Sequence, residues 1–484
     1  MFNLKIKTMK HRLVFILVIF LAGIQFPVFA QYKPEQNEIN YTENFRGQYH
    51  FSPKSGWMND INGLVYQGGK YHMIYQWGES IRHGGYATST DLLHWKDEGV
   101  ALISQKSFLP SEAIRNVSGD HVFSGSAVVV SGETSKRITG STDEAIVAIY
   151  TGTAVGTCLA WSIDSGKSWH NFKNNPVANP TKDADPRDPH VFFHKPSSKW
   201  IMAIYENGTT LYGSKDLINW TFLSNLNFGF ECPDIFELPL DGNKKSMKWV
   251  LMDANGNYVV GKFDGTSFIR EEGQAQHVMT LGHDFYAAQS FPGGSLPNQD
   301  ERIIQLAWMD HWNGGLGETV WKRNATFPVS VGLITSDGQM RITRNPISEI
   351  SSLYSNSQKW DSQSLNSNSN LLSKTKSKTF ELVAEFDLTN TTASKFGFKI
   401  ANKTIAYHIK SQVLLDEKLV PDAANHVKIT ILVDWGQLEV FANKGVFSYS
   451  EQFAFSPDNS DIELFTDGDI KLVSMEFHEI ECTW

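Results

Sequence analysis

Three short stretches place carboxylates at chain reversals. Asp60 lies in Trp57-Met58-Asn59-Asp60-Ile61-Asn62-Gly63, Asp188 in Arg187-Asp188-Pro189, and Glu231 in Phe228-Gly229-Phe230-Glu231-Cys232-Pro233-Asp234. Asn, Gly and Pro punctuate each stretch and a strand-like run follows it, so all three read as turns at strand ends. Turns on separate strands can converge on one cavity and face each other across it; residues adjacent in sequence cannot. A carboxylate and a carboxylic acid opposed in this way can act as nucleophile and general acid/base on a bond held between them. Taken singly, the same residues have simpler uses: Asp60 as a turn cap, Arg187 and Asp188 as a buried ion pair fixing a loop, Glu231 as an exposed turn residue. Their conjunction favours the catalytic reading.

The ordered set of motifs resembles glycoside hydrolase family 32, the invertase, inulinase and levanase group that cleaves β-fructosides. WMND-x-NG, RDP and ECP are joined in order by Phe123-Ser124-Gly125-Ser126, Asp284-Phe285-Tyr286-Ala287-Ala288-Gln289, Ala307-Trp308-Met309 and Val433-Asp434-Trp435-Gly436-Gln437-Leu438-Glu439-Val440-Phe441. The resemblance therefore spans nearly the whole mature chain. It implies a retaining, double-displacement mechanism with Asp60 as nucleophile, Glu231 as acid/base and Asp188 as transition-state stabiliser. The two working carboxyl groups of such an enzyme stand about 5–5.5 Å apart. Local chemistry is compatible. Asn59 and Asn62 can donate hydrogen bonds that keep Asp60 ionised, Arg187 can hold Asp188 charged, and Phe230, Cys232 and Pro233 are poor company for a charge on Glu231.

The resemblance also implies a sugar pocket made by Trp57, Asn59, Gln76, Phe123, Ser124, Arg187, Tyr286 and Trp308. For Phe123, Tyr286 and Trp308, burial in the core is the competing use. No metal or organic cofactor is implied, since two carboxylates suffice. The sequence departs from the family pattern at Ile61, where Pro is usual, and after Gln76, where the chain runs Trp77-Gly78-Glu79-Ser80-Ile81-Arg82-His83 and the loop is short. Trp77 or His83 is the candidate replacement for the missing aromatic wall. The expected substrate is a β-fructoside: a fructan (levan or inulin), a fructo-oligosaccharide or sucrose. Fructosyl transfer and a catalytically silent fructan-binding propeller are the alternatives.

The chain has 484 residues, more than one ordinary domain, and 41% of them are hydrophobic. Aromatic residues make up 12%, including 14 Trp, which suits stacking on sugar faces as well as filling β cores. The net charge of −9, with no sustained basic run beyond the first dozen residues, argues against nucleic acid as a partner. Lys5, Lys7, Lys10 and Arg12 precede an apolar run over residues 13–24, and Val28-Phe29-Ala30 offers a cleavage site. Residues 1–30 thus read as a secretory signal peptide, too short to remain as a membrane span. No Cys follows the apolar run, so no lipid anchor is expected, and the mature protein is expected to be secreted or periplasmic. The three cysteines, Cys158, Cys232 and Cys482, allow one bridge at most, with Cys232 the least suited to it.

From about residue 49 the chain consists of short strand patterns broken by Gly, Asn, Asp and Pro. Ser89-Thr90-Asp91-Leu92-Leu93-His94-Trp95 is echoed by Ser214-Lys215-Asp216-Leu217-Ile218-Asn219-Trp220, with variants at residues 162–169 and 262–268. Each echo reads as the turn of an outer hairpin, and recurrence at roughly 50–75 residues marks propeller blades. The expected fold is all-β: a five-bladed β-propeller over residues 40–350 followed by a β-sandwich over residues 365–484. A Ser/Asn/Lys-rich stretch over residues 351–379 reads as the connector. Acidic residues in the sandwich alternate with apolar ones, as on solvated faces, and no catalytic role is expected there.

Overall fold

The structure is a computed structural model, and it describes residues 41–78, 81–103, 120–178, 185–309, 319–452 and 458–484. The expected signal peptide lies outside the described residues, as do residues 79–80 of the short loop after Gln76. Among the described residues no helix is long and apolar enough to cross a membrane.

The first sheet contains β1 (Gly56–Gln67), β2 (Lys70–Trp77), β3 (His83–Ser89) and β4 (Trp95–Leu102), antiparallel and in chain order. The same meander recurs in β5 (Val122–Val130), β6 (Ala145–Gly152), β7 (Gly156–Ser162) and β8 (His170–Asn171), and again in β9 (Arg187–His194), β10 (Lys199–Tyr205), β11 (Thr209–Ser214) and β12 (Thr221–Leu226). A fourth runs through β13 (Asp234–Leu240), β14 (Asn243–Met252), β15 (Asn257–Phe263) and β16 (Phe268–Arg270). The fifth uses Tyr286–Ser290, Ile303–Met309, Val329–Ser336 and Gln339–Pro346. These are the five blades of a β-propeller. Each Asp turn in the echoed sequence joins the third and fourth strands of its blade. Asp91 Oδ1 accepts from the backbone N–H of Leu93 and His94, and Asp216 Oδ1 from those of Ile218 and Asn219. Trp95 and Trp220 then donate Nε1–H to the carbonyls of Leu92 and Leu217. An Asp side chain mimicking a backbone turn makes the motif repeat.

Each successive pair from the first blade to the fourth buries a separate apolar cluster, while the fourth, fifth and first share one. Val65, Ile74 and Tyr86 of the first blade meet Ala127, Ala148 and Tyr150 of the second; Val147 and Leu159 meet Val191 and Met202; Ile201 and Leu211 meet Ile235 and Val259. Central strands are therefore covered on both faces, and β6 is buried along its whole length. The ring closes where Gly56–Trp57 pairs in parallel with Trp321–Lys322.

The C-terminal unit is a β-sandwich of two sheets around a core of its own; it supplies seven strands of the larger sheet, whose eighth is Leu281–Gly282 of the propeller chain, and all five of the smaller. Two expectations need correction here. The Ser/Asn-rich stretch is not a bare connector, because Tyr354–Trp360 and Gln363–Leu365 pair with Ile470–Ile480 at the edge of the larger sheet. Its polar composition suits an edge strand facing solvent. Nor are all the acidic residues on solvated faces. Asp434 and Glu439 are fully buried and both engage the ring of His50, at 2.9 Å each. Asp434 also accepts from the backbone N–H groups of Gln48, Tyr49 and His50, and Glu439 from that of Phe327. The VDWGQLEVF motif is thus a clasp that ties the propeller to the sandwich. The three cysteines are all free.

Candidate active site

Every blade sends a residue from the start of its first strand, or the loop just before it, toward one end of the ring axis. Asp60 comes from β1, Ser124 from β5, Asp188 from β9, Glu231 from the loop entering β13, and Tyr286 from the fifth blade. Asp60 and Asp188 are 8% and 5% exposed. Asp60 Oδ2 accepts from Gln76 Nε2 at 2.9 Å and Ser124 Oγ at 2.7 Å, with Cys232 Sγ at 3.6 Å. Gln76 Nε2 also reaches Ser124 Oγ at 2.9 Å, closing a small triangle around the carboxylate. Cys232 donates its backbone N–H to Asp188 Oδ2 at 3.3 Å, so the residue next to Glu231 touches both aspartates. Asp188 is held from behind by its own N–H, which donates to Thr151 Oγ1 at 2.8 Å.

Glu231 is half-buried. Arg187 donates to its Oε1 through Nε at 3.0 Å and Nη2 at 2.9 Å, and the Tyr286 hydroxyl donates to its Oε2. Arg187 also binds Asp185 Oδ2 at 2.7 Å and lies over the Tyr205 ring at 4.5 Å. The backbone is strained here: Asp188, Glu231 and Cys232 have φ of 61°, 54° and 37°. Three site positions in the left-handed region, none of them Gly, mark geometry that the surrounding structure enforces for use.

Burial is the largest influence on both aspartates. It pushes Asp60 up to about 6, with the Ser124 hydrogen bond pulling down and the charge on Glu231 pushing up. Asp188 rises to about 7 through burial and then through the charges of Asp60 and Glu231, against the Cys232 N–H and Arg187. Burial and its bond to Glu231 raise the Tyr286 phenol well above its ordinary value, so it stays a donor.

The structure brings several of the residues named from sequence into contact, with changed partners. Asn59 and Asn62 do not bond the Asp60 carboxylate: Asn59 Oδ1 accepts from Trp57 Nε1 at 2.5 Å, and Asn62 Nδ2 reaches only the Asp60 backbone carbonyl at 3.4 Å. Successive side chains in a strand point to opposite faces, which turns Asn59 away from its neighbour Asp60. Arg187 spends its short contacts on Glu231 and Asp185 and is 3.9 Å from Asp188. The apolar neighbours of Glu231 do not enclose it, since Phe230 turns outward and is 44% exposed. Trp77 donates Nε1–H to the Ser55 carbonyl and its partly buried ring packs on the propeller core. Phe123 is half-buried with its ring 5.8 Å from His121, and Trp308 is buried with its ring 5.9 Å from that of Tyr286. Sequence reading missed Thr151 and Arg323. The latter lies over Trp57 at 4.3 Å and Trp308 at 4.5 Å, and nothing in Trp321-Lys322-Arg323-Asn324 signals it.

Comparison with known proteins agrees with this geometry. The chain matches the glycosyl hydrolases family 32 N-terminal domain over residues 50–346 and the family 32 C-terminal domain over residues 349–479. It is 32% identical to a levanase of Bacillus subtilis, over 98% of this chain and 76% of the relative. It is 30% identical to an extracellular exo-inulinase of Aspergillus niger, over 92% of this chain and 96% of the relative. The crystal structure of an exo-inulinase from Aspergillus awamori superposes with a TM-score of 0.79 at 27% identity, covering 92% of this chain and all of that one. A propeller with three carboxylates at one mouth, clasped to a sandwich and matched along both halves, belongs to family 32 of the glycosyl hydrolases.

Proposed function

We propose that the protein is a retaining β-fructosidase that hydrolyses fructans, fructo-oligosaccharides or sucrose by double displacement. The observation that carries this reading is the arrangement around Cys232. That residue contacts Asp60 and Asp188 while its neighbour Glu231 faces them, held by Arg187 and Tyr286. Gln76, Ser124 and Cys232 converge on Asp60 Oδ2, which leaves Oδ1 to attack the anomeric carbon. Glu231 gives a proton to the departing oxygen as the fructosyl ester forms on Asp60. It then takes a proton from the water that cleaves that ester, and the two inversions give net retention. Asp188 accepts hydrogen bonds from sugar hydroxyls that strengthen as positive charge develops on the ring. No cofactor takes part in either step. The levanase and exo-inulinase relatives support a fructan as substrate, and the extracellular naming of the latter agrees with export through a signal peptide over residues 1–30.

Digestion of sucrose, levan and inulin in the presence of methanol tests the reading. Retention yields methyl β-fructofuranoside alongside fructose; the α anomer would overturn the double displacement. Chain-extended products at high sucrose would instead identify fructosyl transfer as the main outcome.

A further inference from the structure

The propeller ring closes through residues 321–325, and one residue in that segment is out of place on backbone grounds. Lys322 pairs with Trp57 of the first blade, whereas Asn324 and Ala325 pair with Met309 and Trp308 of the fifth. Arg323 is the pivot between the two pairings, with φ of 74°. Gly takes that conformation without strain, while any L side chain is strained there. The Arg side chain lies between the indoles of Trp57 and Trp308, its guanidinium carbon 4.3 Å from the Trp57 ring centroid and 4.5 Å from that of Trp308. Each indole leads to a reacting group. Trp57 donates to Asn59, next to Asp60, and Trp308 packs edge-to-face on Tyr286, whose hydroxyl donates to Glu231.

We infer that Arg323 is a positioning residue for the sugar pocket. By lying between Trp57 and Trp308 across the ring closure, it sets the pocket's width. The inference rests on the β-fructosidase reading. A planar guanidinium can lie flat against two aromatic faces at once; the point charge of a Lys cannot. The same clamp accounts for a strained Arg where a Gly would close the ring with less strain.

Two variants and two readouts test this. Arg323→Gly suits the backbone and removes the clamp, and Arg323→Lys keeps the charge without the planar stack. The expected result for Arg323→Gly is a KM for sucrose or a fructo-oligosaccharide raised about tenfold, kcat changed less than about threefold, and a Tm within about 2 °C of the wild type. Arg323→Lys should show a KM about threefold above the wild type. A wild-type KM in both variants overturns the inference. So does a lower Tm with a reduced fraction of active protein and an unchanged KM, which would make Arg323 a pillar of the ring closure only. A wild-type enzyme that neither cleaves nor binds a β-fructoside would remove the functional reading itself, and the inference with it.

Discussion

Arg187 donates twice to Glu231, at 3.0 and 2.9 Å, while standing 3.9 Å from the carboxylate of its sequence neighbour Asp188. Adjacent residues at a strand start project to opposite sides, so the guanidinium is turned toward the next blade. It thereby links β9 to the loop before β13 and fixes where Glu231 stands relative to the two aspartates. The guanidinium matters because Nε and Nη2 hold Glu231 while Nη1 holds Asp185 at the same time. Arg187→Lys should therefore behave as a severe change, with kcat/KM for sucrose down by roughly 10²-fold and Tm little altered. Steady-state kinetics beside a thermal melt decide it; near-wild-type kcat/KM in the Lys variant would show that charge alone is enough.

Two buried aspartates give the site a pH-dependent stability of known sign. Asp60 and Asp188 titrate at about 6 and about 7 in the folded protein, against an ordinary value of 3.8. Between these limits the folded chain binds more protons than the unfolded one, so stability falls as pH rises through that window. Asp188→Asn removes the buried charge. It is expected to raise Tm by roughly 2–4 °C at pH 8, with the gain fading toward pH 4, and to lower kcat/KM by at least about 10²-fold. Calorimetry at the two pH values checks this. A lower Tm at pH 8 would mean that the carboxylate is a net stabilising partner of Cys232 and Arg187.

The clasp between the units has a dependence of the same sign in a higher pH window. Burial opposes charge on His50, but its hydrogen bonds to Asp434 and Glu439 prevail and carry it up to about 9. Its contribution is fully present below the unfolded value of 6.5 and is lost as pH rises through about 9. Thermal stability should fall between pH 7 and 9.5, and His50→Ala should flatten that fall. The variant leaves two carboxylates buried without their cation, so a loss of about 3–5 kcal/mol is expected. Cutting the chain after residue 350 exposes the same surface and should give aggregated protein. A soluble, fully active fragment would make the sandwich an independent appendage.

The blades were legible because their outer turns repeat an Asp-capped hairpin in which Leu92 and Leu217, Trp95 and Trp220 recur at matched positions. The carboxylates were legible as turn residues beside Pro, Gly and Asn. Their partners were not. Gln76 and Ser124 reach Asp60 from another strand and another blade, and no local pattern states which atoms a ring of five blades brings together. The clasp was misread for the same reason. Alternating acidic and apolar residues look alike whether the outer face meets water or a histidine from 384 residues earlier in the chain, as Asp434 does. Arg323 had no signal at all, since a positive φ on a non-Gly residue leaves no trace in composition.

Glu231→Gln separates the acid/base from the nucleophile most sharply. Asp60→Asn should abolish turnover on every fructoside, because an amide cannot form the fructosyl ester. Glu231→Gln keeps an oxygen for Arg187 and a polar partner for Tyr286, so the fold and the position of the side chain should survive. What it loses is the proton for the departing oxygen. Cleavage of sucrose, whose leaving group is a sugar alkoxide, should slow by roughly 10³-fold or more. A fructoside whose leaving group needs no protonation should form the ester on Asp60 at a far smaller loss. The second step then lacks its general base, so the fructosyl-enzyme should accumulate and be visible as a mass increment on the peptide containing Asp60. Azide needs no base, and its addition should restore turnover and give a fructosyl azide of retained configuration. An equal loss for good and poor leaving groups, with no adduct and no azide rescue, would assign the acid/base to another residue and leave Glu231 as the anchor of Arg187.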